Sequence, residues 1–258
     1  MESHVLIEKA EGVLTLTLNR PEKKNALTQA MYQRLGDAID GAANDPEARC
    51  VLIQAEGDAF TAGNDIGDFA ARGAEGRSTG DKQKWEGNPL LAALARAKRP
   101  LVAAVHGRAV GVGVTMLLHC DLVYMAEDAL LSTPFVNLGL VPEAASSLTL
   151  PARIGHARAF AMFVLGEAVT AQEAVAWGIA NKALPRAELR TTALAAARAV
   201  AQRSPSAVAI TKALMREPEQ LAKRMEVEGA HFVAQLSTPE AAAAFAAFAD
   251  KRRGMRGS

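Results

Sequence analysis

The chain has 258 residues, half of them apolar and 22% charged, with 29 lysines and arginines against 28 aspartates and glutamates. Such a chain can bury a sizeable core, which excludes a disordered, solvating polymer. A net charge of +1 gives no electrostatic drive toward nucleic acid or an anionic membrane, and neither is expected as a partner. Cys50 and Cys120 are too few for a disulfide framework, and both sit in apolar runs, as reduced buried thiols do. The five histidines are scattered with none paired at metal-ligand spacing, so no metal is expected. The first residues carry no secretory pattern, and no apolar run reaches the ~18 residues of a membrane helix. The expected location is therefore the cytoplasm.

In chain order, residues 13–18 alternate apolar and polar and predict a half-buried strand, which Pro21 cannot continue. Leu27, Met31, Leu35, Ile39 and Ala42 recur at steps of four and three, one face of an amphipathic helix. The runs 50–53, 101–105 and 122–125 read as buried strands. Strands followed by helices imply crossover units and at least partly parallel sheets, so the fold class is α/β. Residues 71–81, with Gly73, Gly76 and Gly80, read as a mobile surface loop. From about residue 156 the strand signals stop. Thr170 and Glu173 have capping-box spacing, and Ser204-Pro205 and Thr238-Pro239 each look like an N-cap with proline at the first helical position. The expected division is 1–198 for the α/β core and 199–258 for a helical region.

Two stretches are candidates for chemistry. In residues 106–113 a strand runs into Gly107, Gly111 and Gly113 ahead of an apolar helix; residues 60–66 form a second small-residue loop around Gly63. Each is either a plain tight turn or a place where exposed backbone N–H groups stabilise negative charge. A dinucleotide fingerprint would need a glycine where Met116 stands, and the Gly-Lys-Ser/Thr of a P-loop is absent. No Gly-x-Ser-x-Gly nucleophile elbow occurs.

Taken in series, Asn19-Arg20-Pro21, Asn25-Ala26-Leu27, Ala62-Gly63-Asn64-Asp65-Ile66, Gly107 with Gly111-Val112-Gly113, Cys120-Asp121-Leu122 and Gly139-Leu140-Val141-Pro142 resemble the crotonase (enoyl-CoA hydratase/isomerase) superfamily over nearly the whole chain. The resemblance implies a spiral of ββα units followed by a helical trimerisation region, and a homotrimer or dimer of trimers. It implies an acyl-CoA thioester as substrate, the coenzyme A being part of that substrate, with no separate cofactor. It implies an oxyanion hole from the N–H groups of Ala62 and Val112, and a CoA site along Lys24, Ala26, Ala62, Asp65, Ile66 and Gly111. Phe248 and Lys251 would approach the CoA of a neighbouring subunit. Asp65 also reads as the residue that holds the oxyanion loop.

The departures from the family pattern narrow the activity. Where hydratases carry two glutamates this sequence has Thr115 and Phe135, neither of which can activate water. Glu143 remains, at a position resembling the catalytic glutamate of the branch that isomerises 3-enoyl-CoA to 2-enoyl-CoA; ring-epoxide acyl-CoA isomerases have aspartate there. Asn64, in place of the commoner alanine, is shared with that branch. The expected reaction is double-bond isomerisation through a dienolate, with Glu143 as the single base. The plainer reading of Glu143 is a first-turn carboxylate complementing a helix dipole. The alternatives are hydration or other thioester chemistry on the same fold (ring isomerase, thioesterase, decarboxylase), and a catalytically weak acyl-CoA binder or RNA-associated homologue. The positions Val208, Leu214, Leu221, Phe232, Phe245 and Phe248 are too apolar for a solvated tail; the resemblance implies that they belong to the trimerisation region, and the plainer reading is that these helices cover the chain's own core.

Overall fold

The computed structural model describes residues 3–65, 67 and 87–254, with the backbone alone for 248–254. A six-stranded sheet in the order β1-β2-β3-β4-β6-β9 forms its frame, and β5-β7-β8 make a smaller second sheet. The large sheet comprises β1 (Val5–Ala10), β2 (Val13–Leu18), β3 (Cys50–Ala55), β4 (Leu101–Val105), β6 (Leu122–Ala126) and β9 (Lys182–Leu184). Only the β1–β2 hairpin is antiparallel; each later pair runs parallel. The small sheet holds β5 (Arg108–Val110), β7 (Leu130–Ser132) and β8 (Val169–Thr170).

Parallel strands covered on both faces read as continuous apolar runs, and their two-residue period sorts side chains between two cores. Val51, Ile53, Leu101, Ala103, Val105, Val123 and Met125 enter the main core. Their neighbours Cys50, Leu52, Val102, Ala104 and Tyr124 enter a smaller one. Helix α1 (Gln29–Ala42) covers the main core with Met31, Leu35, Ile39 and Ala42, and its N-cap Thr28 accepts from Met31 N–H. Helix α2 (Pro89–Arg96) packs beside it with Leu90, Leu91 and Leu94. The short α3 (Val112–Thr115) follows β5, and α4 (Ser146–Ile154), α5 (His156–Phe160) and α6 (Ala171–Ala176) lead into β9. On the opposite face α7 (Arg186–Ala201) seals the smaller core with Leu189, Ala193 and Ala197. Helices α8 (Pro205–Leu214), α9 (Pro218–Leu236) and α10 (Pro239–Gly254) complete the chain.

Several expectations need correction. Strand β2 is buried on both faces rather than one, because Leu14, Leu16 and Leu18 enter the main core while Val13 on the other face enters the smaller one; even Thr17 is 5% exposed, its hydroxyl accepting from Gln54 Nε2. Strands do not stop at residue 156, since β8 and β9 follow; at two and three residues they are too short to show a period. The expected boundary at 198 falls inside α7, a single helix packed under the sheet. The Thr170–Glu173 capping box is present with both reciprocal bonds, and Thr238 caps α10 through Ala241 N–H. Ser204 makes no cap bond; its hydroxyl faces that of Ser206 instead. The surface loop expected at 71–81 lies outside the described residues.

Candidate active site

Two glycine-rich turns interlock. Thr61 N–H donates to Arg108 O at 3.1 Å, and Val110 N–H donates back to Thr61 O at 3.0 Å. A Cβ on Gly63, which sits at φ +88°, would lie 2.9 Å from Val110 O. A Cβ on Gly113 would lie 2.4 Å from Thr61 Cγ2, closer than real carbon atoms approach. Glycine at these two positions is therefore a condition of the close packing of one turn on the other.

Residues 20–27 buttress this pair. The buried Asn25 side chain accepts from Arg20 N–H and donates to the carbonyls of Glu56 and Ala59. Leu27 N–H donates to Gly63 O, and Asp65 N–H donates to Leu27 O. Arg20 Nη1 bonds Asp65 Oδ2 at 2.7 Å, and Asp65 Oδ1 accepts from Gly67 N–H. Asp65 thus holds the loop, as its sequence position suggested. Lys24 is exposed and Ala26 half-buried on the same cluster, with half-buried Gly111 on the facing turn. Ile66 lies outside the described residues, as do the side chains of Phe248 and Lys251.

The donor pair differs from the expected one. Ala62 N–H donates to Lys24 O at 2.8 Å and is not free for a ligand, so the assignment of Ala62 to an oxyanion hole is corrected. Two residues on, Asn64 N–H has no acceptor among the described residues, and neither does Val112 N–H at the start of α3. Asn64's own side chain is held by the Tyr32 hydroxyl, which donates to Oδ1. The Ala62–Lys24 bond joins positions 38 apart, and no local pattern announces it.

The carboxylate is held by Thr115, which lies one helical turn from Val112. Thr115 Oγ1 donates to Glu143 Oε1 at 2.5 Å and lies 3.5 Å from Val112 O. Glu143 is 6% exposed. Burial pushes its carboxyl up to about 7, the Thr115 hydrogen bond pulls against that, and the charge of Glu228 adds to the rise. Phe135, 5% exposed, packs its ring 6.1 Å from that of Phe163. The two positions of the hydratase glutamates therefore hold a buried hydroxyl and an apolar ring.

Glu143 does not neutralise a helix end. Its side chain turns to Thr115, and the carboxylate at the N-terminus of α4 is Glu228, whose oxygens accept from Ala145 N–H at 2.6 Å and Ser147 N–H at 2.9 Å. Sequence reading missed Glu228, although a signal existed. Leu221, Met225, Glu228 and Phe232 recur at steps of four, three and four, so a carboxylate occupies an apolar helix face. His119 also reaches this loop, its Nε2–H donating to Ala144 O at 2.8 Å while Nδ1 accepts from Arg216. Burial pushes the His119 imidazole down to about 3, so it is neutral.

Among the described residues no group of histidine, cysteine and carboxylate side chains is placed to hold a metal ion, and no helix is long and apolar enough to cross a membrane.

The sequence pattern of the enoyl-CoA hydratase/isomerase family matches residues 8–255. Enoyl-CoA delta isomerase 2 of Rattus norvegicus is 34% identical over 215 residues, 83% of this chain and 55% of the rat protein, so the chain spans about half the length of that relative. A probable enoyl-CoA hydratase of Rhodobacter capsulatus is 38% identical over 178 residues, 69% of this chain and 67% of its own. The crystal structure of an enoyl-CoA hydratase/isomerase from Pseudoalteromonas atlantica T6c superposes with a TM-score of 0.88 at 37% identity, covering 96% of this chain and 98% of that one. The chain has the crotonase fold and belongs to the enoyl-CoA hydratase/isomerase family.

Proposed function

We propose that the protein isomerises 3-enoyl-CoA to trans-2-enoyl-CoA, with one glutamate, Glu143, as the base. The observation that carries this reading is the pairing of one buried carboxylate, held near neutrality, with two unpartnered backbone N–H groups on interlocked turns. The thioester oxygen sits between the N–H groups of Asn64 and Val112, which acidifies the α-carbon. Glu143 removes an α-proton, the electron pair moves into the dienolate, and the charge rests on that oxygen. The protonated Glu143 then returns the proton to the γ-carbon, and the double bond moves into conjugation. A base with a pKa near the working pH both takes and gives back a proton efficiently.

Among the described residues hydration lacks its second group. Thr115 spends its hydroxyl proton on Glu143, Phe135 offers a ring, and both oxygens of Glu228 are taken by backbone N–H groups. The protein works as a homotrimer or a dimer of trimers on this reading, as the family resemblance implies.

The test is a panel of 3-enoyl-CoA and 2-enoyl-CoA substrates, following the absorbance of the conjugated thioester, with Glu143→Gln alongside the wild type. Loss of a general base costs ~10²–10⁴ in rate. A variant within about threefold of the wild type would overturn Glu143 as the base.

A further inference from the structure

We propose that Glu228, on α9, is a positioning residue that sets the geometry of the loop carrying Glu143. This rests on the reading of Glu143 as the base. The loop is an unusual piece of backbone. Ala144 and Ala145 both lie in the left-handed region, at φ 62° and 57°, which alanine avoids because of its Cβ. Such conformations persist only where the surroundings over-determine them. Here the surroundings are specific. Glu228 accepts from Ala145 N–H and Ser147 N–H, and His119 donates to Ala144 O. Three residues in four are thereby fixed by groups remote in sequence, and the chain leaves Glu143 in one direction.

Both Glu228 oxygens accept from N–H groups, which favours the ionised carboxylate and works against the burial that raises its proton affinity. Glu228 is 6% exposed, so its charge acts through a poorly screening interior. The groups facing the pair are few. Thr115 donates to Glu143, neutral His119 backs Ala144 with Arg216 behind it, and the charge of Arg224 lowers the proton affinity of Glu228. The Ser146 hydroxyl, on the same loop, is buried without a partner among the described residues. Glu228 therefore acts on Glu143 in two ways: it fixes where the carboxylate points, and its charge raises the proton affinity there.

The test uses the full chain with Glu228→Gln, Glu228→Asp and, as a structural control on the same buried helix face, Met225→Ala. Two quantities are read: kcat and KM for 3-enoyl-CoA across pH, and titration of the Glu143 carboxyl by carbon NMR in the free protein, its resonance assigned with Glu143→Gln. Glu228→Gln is expected to lower kcat by about tenfold or more with KM changed less than about twofold, the scale of losing an orienting partner. It is also expected to move the Glu143 titration and the acid limb of kcat to lower pH. Glu228→Asp keeps the charge but shortens the reach, so kcat falls while the titration stays near wild type. Met225→Ala lowers the melting temperature and moves neither the titration nor the acid limb. An unmoved titration in Glu228→Gln, or the same kcat loss and titration in Met225→Ala, overturns the proposal. Should Glu228→Gln fail to fold, wild-type kcat in Glu228→Asp overturns it and a fall in kcat at unchanged KM supports it. The titration is read without substrate. It therefore decides the role of Glu228 even where the wild type leaves 3-enoyl-CoA unchanged, a result that overturns the proposed function instead.

Discussion

The Thr115 hydroxyl donates to Oε1 of Glu143 at 2.5 Å, and this bond opposes the burial that raises the proton affinity of the same carboxyl. Removing it with Thr115→Val leaves desolvation unopposed. A hydrogen bond to a charged acceptor contributes ~1.5–3 kcal/mol, or about one to two pKa units. The acid limb of kcat/KM is therefore expected to move to higher pH in Thr115→Val by about that much. A pH–rate profile with an unmoved or lowered limb would contradict the assignment of that limb to Glu143.

The same carboxyl couples stability to pH. Its pKa is raised from 4.5 to about 7 on folding, so its contribution to stability is fully present below about pH 4.5 and is lost as pH rises through about 7. The limiting loss is on the order of 3 kcal/mol. Glu143→Gln cannot ionise and keeps an acceptor for Thr115. It is expected to melt higher than the wild type at pH 8.5, at about 2–4 °C per kcal/mol, with the difference shrinking toward pH 5. Thermal unfolding at the two pH values checks this; a variant that melts lower at pH 8.5 would contradict it.

Hydration of crotonyl-CoA is expected to run at least ~10³-fold slower than in an enzyme with two glutamates, since Thr115 and Phe135 leave no second carboxylate to hold a water. Incubation with a 2-enoyl-CoA and detection of 3-hydroxyacyl-CoA by mass measures it. Turnover of about ten per second or more would mean that water is activated here, and the hydratase reading would replace the isomerase one.

Assembly makes its own prediction, on fewer residues than the sequence suggested. Leu221, Phe232 and Phe245, expected at subunit contacts, are 6–7% exposed and belong to the chain's own core. The apolar surface that remains on and beside α8 is Ile210, Leu214 and Met215, at 60, 83 and 79% exposure. Sedimentation is expected to give a trimer or larger, with Ile210→Glu/Leu214→Glu shifting it toward monomer. A wild-type monomer at micromolar concentration would contradict it.

What the sequence made legible follows the range of the interactions involved. Strands β3, β4 and β6 announce themselves because parallel strands buried on both faces are written as runs of apolar residues, whereas the alternation of β2 suggests one buried face where the structure buries two. Thr115, Phe135 and Glu143 stood out against a family pattern, and the structure brings Thr115 and Glu143 into contact. In the sequence Ala62 N–H reads as free for a ligand because the bond that occupies it, to Lys24 O, is non-local. Glu228 lies more than 80 positions from the amides it serves, so only its misfit on an apolar helix face marked it. Phe232 and Phe245 are apolar either way; composition does not distinguish a helix that covers its own core from one that meets a neighbour.

Gly113 has no room for a single methyl group against Thr61. The turns that carry the Asn64 and Val112 amides are consequently held against each other at two glycines, Gly113 on the Thr61 methyl and Gly63 on the Val110 carbonyl. Replacing Asn64 or Val112 by another residue alters the walls around a ligand and leaves the two N–H donors as they are. On the proposed reading, substrate preference and charge stabilisation are thus inscribed in separate parts of the polypeptide, and the first is free to drift while the second stays fixed.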